Sequence, residues 1–222
     1  MNIVEYPDRD LLAMGLADTL ASELKNCLLV HPWASFVVPG GTTPGPIFDN
    51  LCAADLDWSR VHVMLSDERW VPEDHDRSNA ALLKDRLFQG RAAAAQFVPF
   101  YMDGKTPADA APDLSARLSE QMPISLLLLG MGADMHTASL FPGAVGLADM
   151  LADTAPLVVP VSVEGQEPRI SFSGPALAGA MAKHLVIFGA EKRAALDRAE
   201  RLDPAEAPIN AVMNGLTVHW AE

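Results

Sequence analysis

Ser35-Phe36-Val37-Val38-Pro39-Gly40-Gly41-Thr42-Thr43-Pro44 carries the outline of a fold in a single stretch. Ser35 to Val38 is a short apolar run closed by Pro-Gly-Gly, the pattern of a buried strand followed by a breaker. Thr is a good N-cap and Pro is favoured in the first helical turn, so a helix begins near Pro44 and runs to about Cys52. The result is a strand, a glycine-rich turn and a helix in immediate succession.

The unit recurs on both sides. Upstream, Leu16, Leu20, Leu24 and Leu28 recur every four residues, one stripe of an amphipathic helix over residues 11 to 28, with Asp8 or Asp10 as its cap. Downstream, Val61-His62-Val63-Met64-Leu65 reads as a strand ending in the polar loop Ser66-Asp67-Glu68-Arg69. Ser78 or Asn79 opens a helix to about Phe88, and the Ala-, Pro- and Asp-rich stretch from Gln89 to Leu114 reads as a connection with an outer helix. Ile124 to Leu129 is a further strand, ending in Gly130-Met131-Gly132. Leu157 to Val161, Arg169 to Phe172, Leu185 to Phe188 and Leu216 to Trp220 are read as strands, and Glu191 to Arg198 as a helix. Strands alternating with helices, and strands apolar on both faces, indicate an α/β fold: a doubly wound, mostly parallel sheet flanked by helices. The chain of 222 residues fits one domain, residues 1–222, with a core large enough to need neither disulfide nor metal.

The formal charge of -13 argues against nucleic acid or an anionic membrane as a partner. An anionic small molecule would need a locally basic site in this acidic field. Met1 to Tyr6 shows no basic segment followed by an apolar run, and no apolar stretch approaches the ~20 residues of a membrane helix, so the expected location is the cytoplasm. Cys27 and Cys52 lie in apolar helical stretches without metal spacing and are expected to be buried, while the histidines form no short-range zinc pattern. His62, inside a strand, reads as structural; His75 lies in the loop beyond Arg69.

Three polar or glycine-rich loops follow apolar strands directly: residues 40–43, 66–69 and 130–136. In open α/β sheets ligands bind outside the carboxyl ends of the strands. Gly40, Gly41, Thr42 and Thr43 suit an anion, because glycines admit close backbone approach and the following helix offers free N–H groups. No Lys-Ser/Thr follows, so this is not a P-loop. Gly130-Met131-Gly132-Ala133-Asp134-Met135 lacks the last glycine of a dinucleotide fingerprint. His136 stands two residues after Asp134, a candidate general base beside a carboxylate that can orient it. Ser139 lies close by, but no nucleophile-elbow pattern surrounds it. Arg169 and Lys192 stand at element edges and can hold a phosphate.

Taken together, four stretches resemble the 6-phosphogluconolactonase family: Gly40-Gly41-Thr42-Thr43-Pro44; Ser66-Asp67-Glu68-Arg69-Trp70-Val71-Pro72 with Ser78-Asn79; Gly130 through His136-Thr137-Ala138-Ser139-Leu140-Phe141-Pro142-Gly143; and Pro168-Arg169-Ile170 leading to Lys192. The resemblance implies a fold like that of glucosamine-6-phosphate deaminase and hydrolysis of a phosphorylated sugar lactone in the pentose phosphate pathway. It implies no metal or organic cofactor, and a monomer or small homo-oligomer is expected. It assigns His136 as general base with Asp134 beside it, Arg69 and Asp67 facing the sugar, and Arg169 and Lys192 helping to hold the phosphate. Two positions depart from the family pattern: Thr42 replaces Ser, keeping the hydroxyl, and Met135 replaces the glycine of Asp-Gly-His. If that glycine has a positive φ, Met135 is strained by roughly 1–2 kcal/mol. An amino-sugar-phosphate isomerase or deaminase is the nearest alternative, but the residues after His136 offer no carboxylate for it. A non-catalytic sugar-phosphate sensor is the alternative from another class.

Overall fold

In a computed structural model, which describes residues 2–222, the chain forms ten strands and seven α-helices. The strands are β1 (Asn2–Glu5), β2 (Ala34–Val38), β3 (Val61–Leu65), β4 (Asp67–Arg69), β5 (Gln96–Phe97), β6 (Leu126–Gly130), β7 (Val158–Val161), β8 (Arg169–Phe172), β9 (Ala182–Phe188) and β10 (Leu216–Ala221). The helices are α1 (Arg9–Val30), α2 (Gly45–Leu51), α3 (Asn79–Arg86), α4 (Pro107–Ser119), α5 (Leu147–Leu151), α6 (Gly174–Ala178) and α7 (Gly189–Ala199).

Seven strands form one wholly parallel sheet in the order β1-β10-β9-β6-β2-β3-β5. Starting at β2, the chain winds outward through β3 and β5, then returns to the other side of β2 as β6 and winds outward through β9 and β10. The winding reverses between β2 and β6. Both faces of the sheet are covered, and alternate residues show it. Phe36, Val38, Val63, Leu65, Leu126 and Leu128 join the core beneath α1, α2 and α3. Val37, Met64, Leu127 and Leu129 join the opposite core with α4, α7 and the strands β7 and β8. Burial on both faces explains why these strands read as unbroken apolar runs.

The leucine stripe of α1 is buried at all of Leu16, Leu20, Leu24 and Leu28. The helix begins at Arg9, two residues before the sequence pattern suggests, because Asp8 caps it by accepting from the Leu11 N–H at 2.7 Å. Three further differences have physical causes. Asp67 to Arg69 is a strand, not a loop, and with β7 and β8 it forms a separate antiparallel sheet in the order β4-β8-β7. Its polar composition hid it, since its side chains serve the cleft and α3 rather than a core. The edge strands β1 and β5 are short and partly exposed, so they carry little apolar signal. Cys27 and Cys52 are free and half-buried rather than buried. Among the described residues no helix is long and apolar enough to cross a membrane.

A buried polar chain ties α1 to the sheet. Glu23 Oε2 lies 2.9 Å from His184 Nε2, His184 Nδ1 lies 2.9 Å from His219 Nε2, and His219 Nδ1 lies 2.9 Å from the Tyr6 hydroxyl. With both rings neutral, each link carries one proton and every nitrogen is satisfied. Burial, reinforced by His184 and opposed by Glu23, lowers the His219 pKa from 6.5 to about 4. The unfolded chain therefore takes up a proton at this position below about pH 6.5, while the folded chain resists until near pH 4. Stability falls as pH drops through that window, by up to about 3 kcal/mol from this residue. Urea unfolding at pH 7 and pH 4.5 should show the loss, and His219→Asn should show a smaller one; an equal loss in the variant would contradict this assignment.

Candidate active site

The loops after β2 and β6 and the strand β4 that follows β3 meet at the carboxyl edge of the parallel sheet, where the winding reverses. They enclose a cleft of about 260 Å³ lined by Gly40, Gly41, Thr42, Thr43, Asp67, Arg69, Asn79, Gly132, His136, Arg169 and Lys192, among others. Every site residue singled out in the sequence lines it except Asp134, which reaches it through His136.

The β6 loop sets the histidine. The Gly132 N–H donates to the His136 carbonyl at 3.0 Å, and the Met135 N–H to the Gly132 carbonyl at 3.0 Å, closing a tight turn. Met135 has φ +68°, so the left-handed position expected from the family glycine is real and here is held by methionine. The carbonyl of Met135 accepts from the Ile209 N–H at 3.2 Å and its side chain packs against the core, which offsets the backbone strain. Gly132 has no alternative: a Cβ there would lie 2.3 Å from His136 Nδ1 and 2.4 Å from Asp134 Oδ1.

His136 Nδ1 and Asp134 Oδ1 are 2.5 Å apart, and the His136 ring rests on Phe141 with centroids 4.5 Å apart. Burial pushes the Asp134 carboxyl up, but its hydrogen bonds with the ring and backbone N–H of His136, and the electrostatic pull of that residue, together hold it below its usual value. An ionised Asp134 fixes the Nδ1–H tautomer, and Nε2 then carries a lone pair with no protein partner among the described residues. A nitrogen so placed can accept a proton.

The opposite wall is the β4–β8 ladder. Arg69 and Arg169 are direct cross-strand partners. Like charges in that register repel, an arrangement suited to an anion placed between or above them. Arg69 Nη1 donates to the Arg77 carbonyl at 2.6 Å, and Arg169 Nη2 to Gln166. The Nε atoms of both arginines are buried without a partner. Burial lowers the pKa of Arg169, and it lowers that of Lys192 against the opposing charge of Glu191. Asp67 is 6% exposed, and its two oxygens accept from the Ser66 hydroxyl at 2.9 Å and the Ser139 hydroxyl at 2.6 Å. It is thus part of the wall rather than a free acid.

Sequence reasoning left three of these residues without a role. Glu68 is 1% exposed and accepts from the N–H groups of Arg69, Asn79 and Ala80 and from the Ser78 hydroxyl, at 2.7–2.9 Å. Burial raises its pKa even against those four donors. It pins β4 to the start of α3. Asn79 Nδ2 donates to the Asp67 carbonyl at 2.9 Å, and its side chain occupies the space a Cβ on Gly40 would fill. Ser139 joins the His136 loop to Asp67. Their signal in the sequence was membership of the family-like stretches, Glu68 and Asn79 in the second and Ser139 in the third. His62, stacked on Trp33 and bonded to Gln121, is structural, and His75 is exposed outside the cleft. No group of three or more His, Cys, Asp or Glu side chains able to hold a metal occurs among the described residues.

The model of the family described as "Glucosamine-6-phosphate isomerases/6-phosphogluconolactonase" matches residues 7–220. A 6-phosphogluconolactonase of Rhizobium meliloti is 40% identical over 229 residues, covering 100% of this chain and 98% of that protein. One of Pseudomonas aeruginosa is 40% identical over 217 residues, covering 94% of this chain and 90% of that protein. The crystal structure of a 6-phosphogluconolactonase from Shewanella baltica superposes with a TM-score of 0.96 at 31% identity, covering 100% of this chain and 98% of that one.

Gly132→Ala should fold yet lose the His136–Asp134 contact. In histidine-selective NMR the downfield Nδ1–H signal of His136 should disappear; its persistence would mean the turn can accept a Cβ.

Proposed function

The chain belongs to the glucosamine-6-phosphate isomerase/6-phosphogluconolactonase family, and on that footing we propose that it hydrolyses 6-phosphogluconolactone to 6-phosphogluconate with His136 as general base. One observation carries the reading: a single cleft holds a histidine whose Nδ1 is fixed by a carboxylate, and three cations facing it, Arg69, Arg169 and Lys192.

Water is too weak a nucleophile at neutral pH to open the lactone quickly. His136 Nε2 takes a proton from the water as its oxygen bonds to the lactone carbonyl carbon. The carbonyl oxygen becomes an oxyanion, which Arg69 stabilises as charge develops. The tetrahedral centre collapses, the bond to the ring oxygen breaks, and the histidine returns its proton to that departing oxygen. Asp134 supports the transient imidazolium. The enzyme ends in its starting state.

The phosphate lies remote from the reacting bond and serves as a handle. Arg169, Lys192 and the Gly40–Thr43 loop, with the N-terminus of α2 behind it, supply the charge and donors to hold it. Neither Arg69 nor Lys192 has a carboxylate ion-pair partner among the described residues, although acidic side chains outnumber basic ones 29 to 16. Unpaired cations gathered at one cleft in so acidic a protein fit an anionic substrate drawn in by local field. Deamination of an amino sugar needs a further acid in reach. Among the described residues the one carboxylate lining the cleft, Asp67, already has both oxygens engaged, which favours the lactonase reading. As a single domain working in the cytoplasm, the protein needs no organic cofactor or metal for this chemistry.

Hydrolysis of freshly prepared lactone by His136→Ala, corrected for spontaneous opening, should fall by ~10²–10⁴-fold. Near wild-type activity would remove His136 from the role. Arg169→Ala and Lys192→Ala should raise KM on the order of tenfold or more with a smaller change in kcat, as expected for an anchor away from the reacting bond; unchanged KM values would show that the phosphate is held elsewhere.

A further inference from the structure

Ser139 takes no part in the chemistry above, yet it stands where the two halves of the cleft meet. It is fully buried in the loop that carries His136, and the left-handed Ala138 (φ +50°) precedes it. Its hydroxyl donates to Asp67 Oδ2 at 2.6 Å and accepts from Arg169 Nη1 at 3.4 Å, while its N–H donates to Ser171 Oγ at 3.3 Å.

The charges on either side of that hydroxyl are in an unusual relation. Asp67 and Arg169 have side chains only 8% and 9% exposed, and their nearest atoms, Oδ2 and Nη1, are 4.0 Å apart. A charge-assisted hydrogen bond closes to about 2.7–2.9 Å, and attraction is strong where water is excluded. The pair nonetheless stays open. The Ser139 hydroxyl gives its proton to the carboxylate and its lone pair to the guanidinium, and the Ser66 hydroxyl satisfies the other Asp67 oxygen at 2.9 Å. Each Asp67 oxygen thus has a serine donor, and Arg169 is left with charge to spare for the cleft it lines.

We propose that Ser139 is a positioning residue: it holds Arg169 off Asp67 and so keeps the guanidinium available to the phosphate of the substrate. The proposal rests on the reading of the cleft as a sugar-phosphate lactone site. Without the hydroxyl, Asp67 Oδ2 loses its donor, Arg169 closes onto it as a direct ion pair, and the anion loses a contact. Replacing Asp67 by Asn removes the charge that draws the arginine in, so the hydroxyl then matters little.

The test compares Ser139→Ala, Asp67→Asn and the double variant with the wild type, by lactone hydrolysis and by calorimetric binding of 6-phosphogluconate. S139A should raise KM and the product Kd on the order of tenfold, the loss of one hydrogen bond to a charged group, with kcat within about threefold and an unshifted pH profile. In the D67N background the same substitution should change both constants by less than about twofold. An equal penalty in both backgrounds marks a general structural role and overturns the proposal, as does an unchanged KM in S139A. A crystal structure of S139A decides the spacing without reference to activity. The Arg169–Asp67 approach should shorten to about 3 Å, whereas an arginine unmoved, with water in place of the hydroxyl, contradicts it. A wild type that neither turns over the lactone nor binds 6-phosphogluconate would instead sink the functional reading, and the crystallographic distance would still settle what Ser139 does.

Discussion

Parallel strands all end on one edge, and in this sheet the chain reverses its winding between β2 and β6. The connection from β2 leaves over one face and that from β6 over the other, so the two loops part and leave a cleft between them. Everything the site contains follows from that gap. The β2 loop brings the glycines and the start of α2, the β6 loop brings Asp134 and His136, and β3 runs on past the edge into β4 with Asp67 and Arg69. The small antiparallel sheet then closes the far side, setting Arg169 against Arg69.

The cleft is a local exception to the electrostatics of the whole. In a chain of formal charge -13 the cleft gathers Arg69, Arg169 and Lys192, while other cations pair with acids at the surface, as Lys84 with Glu73 and Arg193 with Glu5. Surface pairs of that kind add little stability. The arginines of the cleft are costlier to keep, because they are partly desolvated and face each other across the ladder. Serine hydroxyls, backbone carbonyls and Gln166 hold them in place without cancelling their charge. The histidine is treated in the opposite way, with one nitrogen fully committed to Asp134 so that the other is free.

The sequence made the parallel sheet legible because its strands are apolar on both faces and its loops are glycine-rich, and the long motif through Gly143 marked the histidine loop. The departure at Met135 was readable only as a condition, that methionine is strained if the family glycine is left-handed, and φ is +68°. What stayed hidden is tertiary. Nothing local shows that Asp67-Glu68-Arg69 is a strand, since Glu68 faces the N–H groups of α3 and the other two side chains face the cleft. Nothing local shows that His184 and His219, 35 residues apart, share a hydrogen bond. Residues whose partners lie far along the chain leave no periodicity to read.

The central claim is that this cleft recognises a phosphorylated sugar lactone and opens it with water. The most direct measurement is the rate constant kcat/KM of the wild type for fresh 6-phosphogluconolactone against that for the unphosphorylated gluconolactone. The account predicts a preference for the phosphorylated compound on the order of a hundredfold or more, the worth of a multiply bonded anionic handle. Equal rate constants for the two lactones, or no hydrolysis above the spontaneous rate for either, would contradict it.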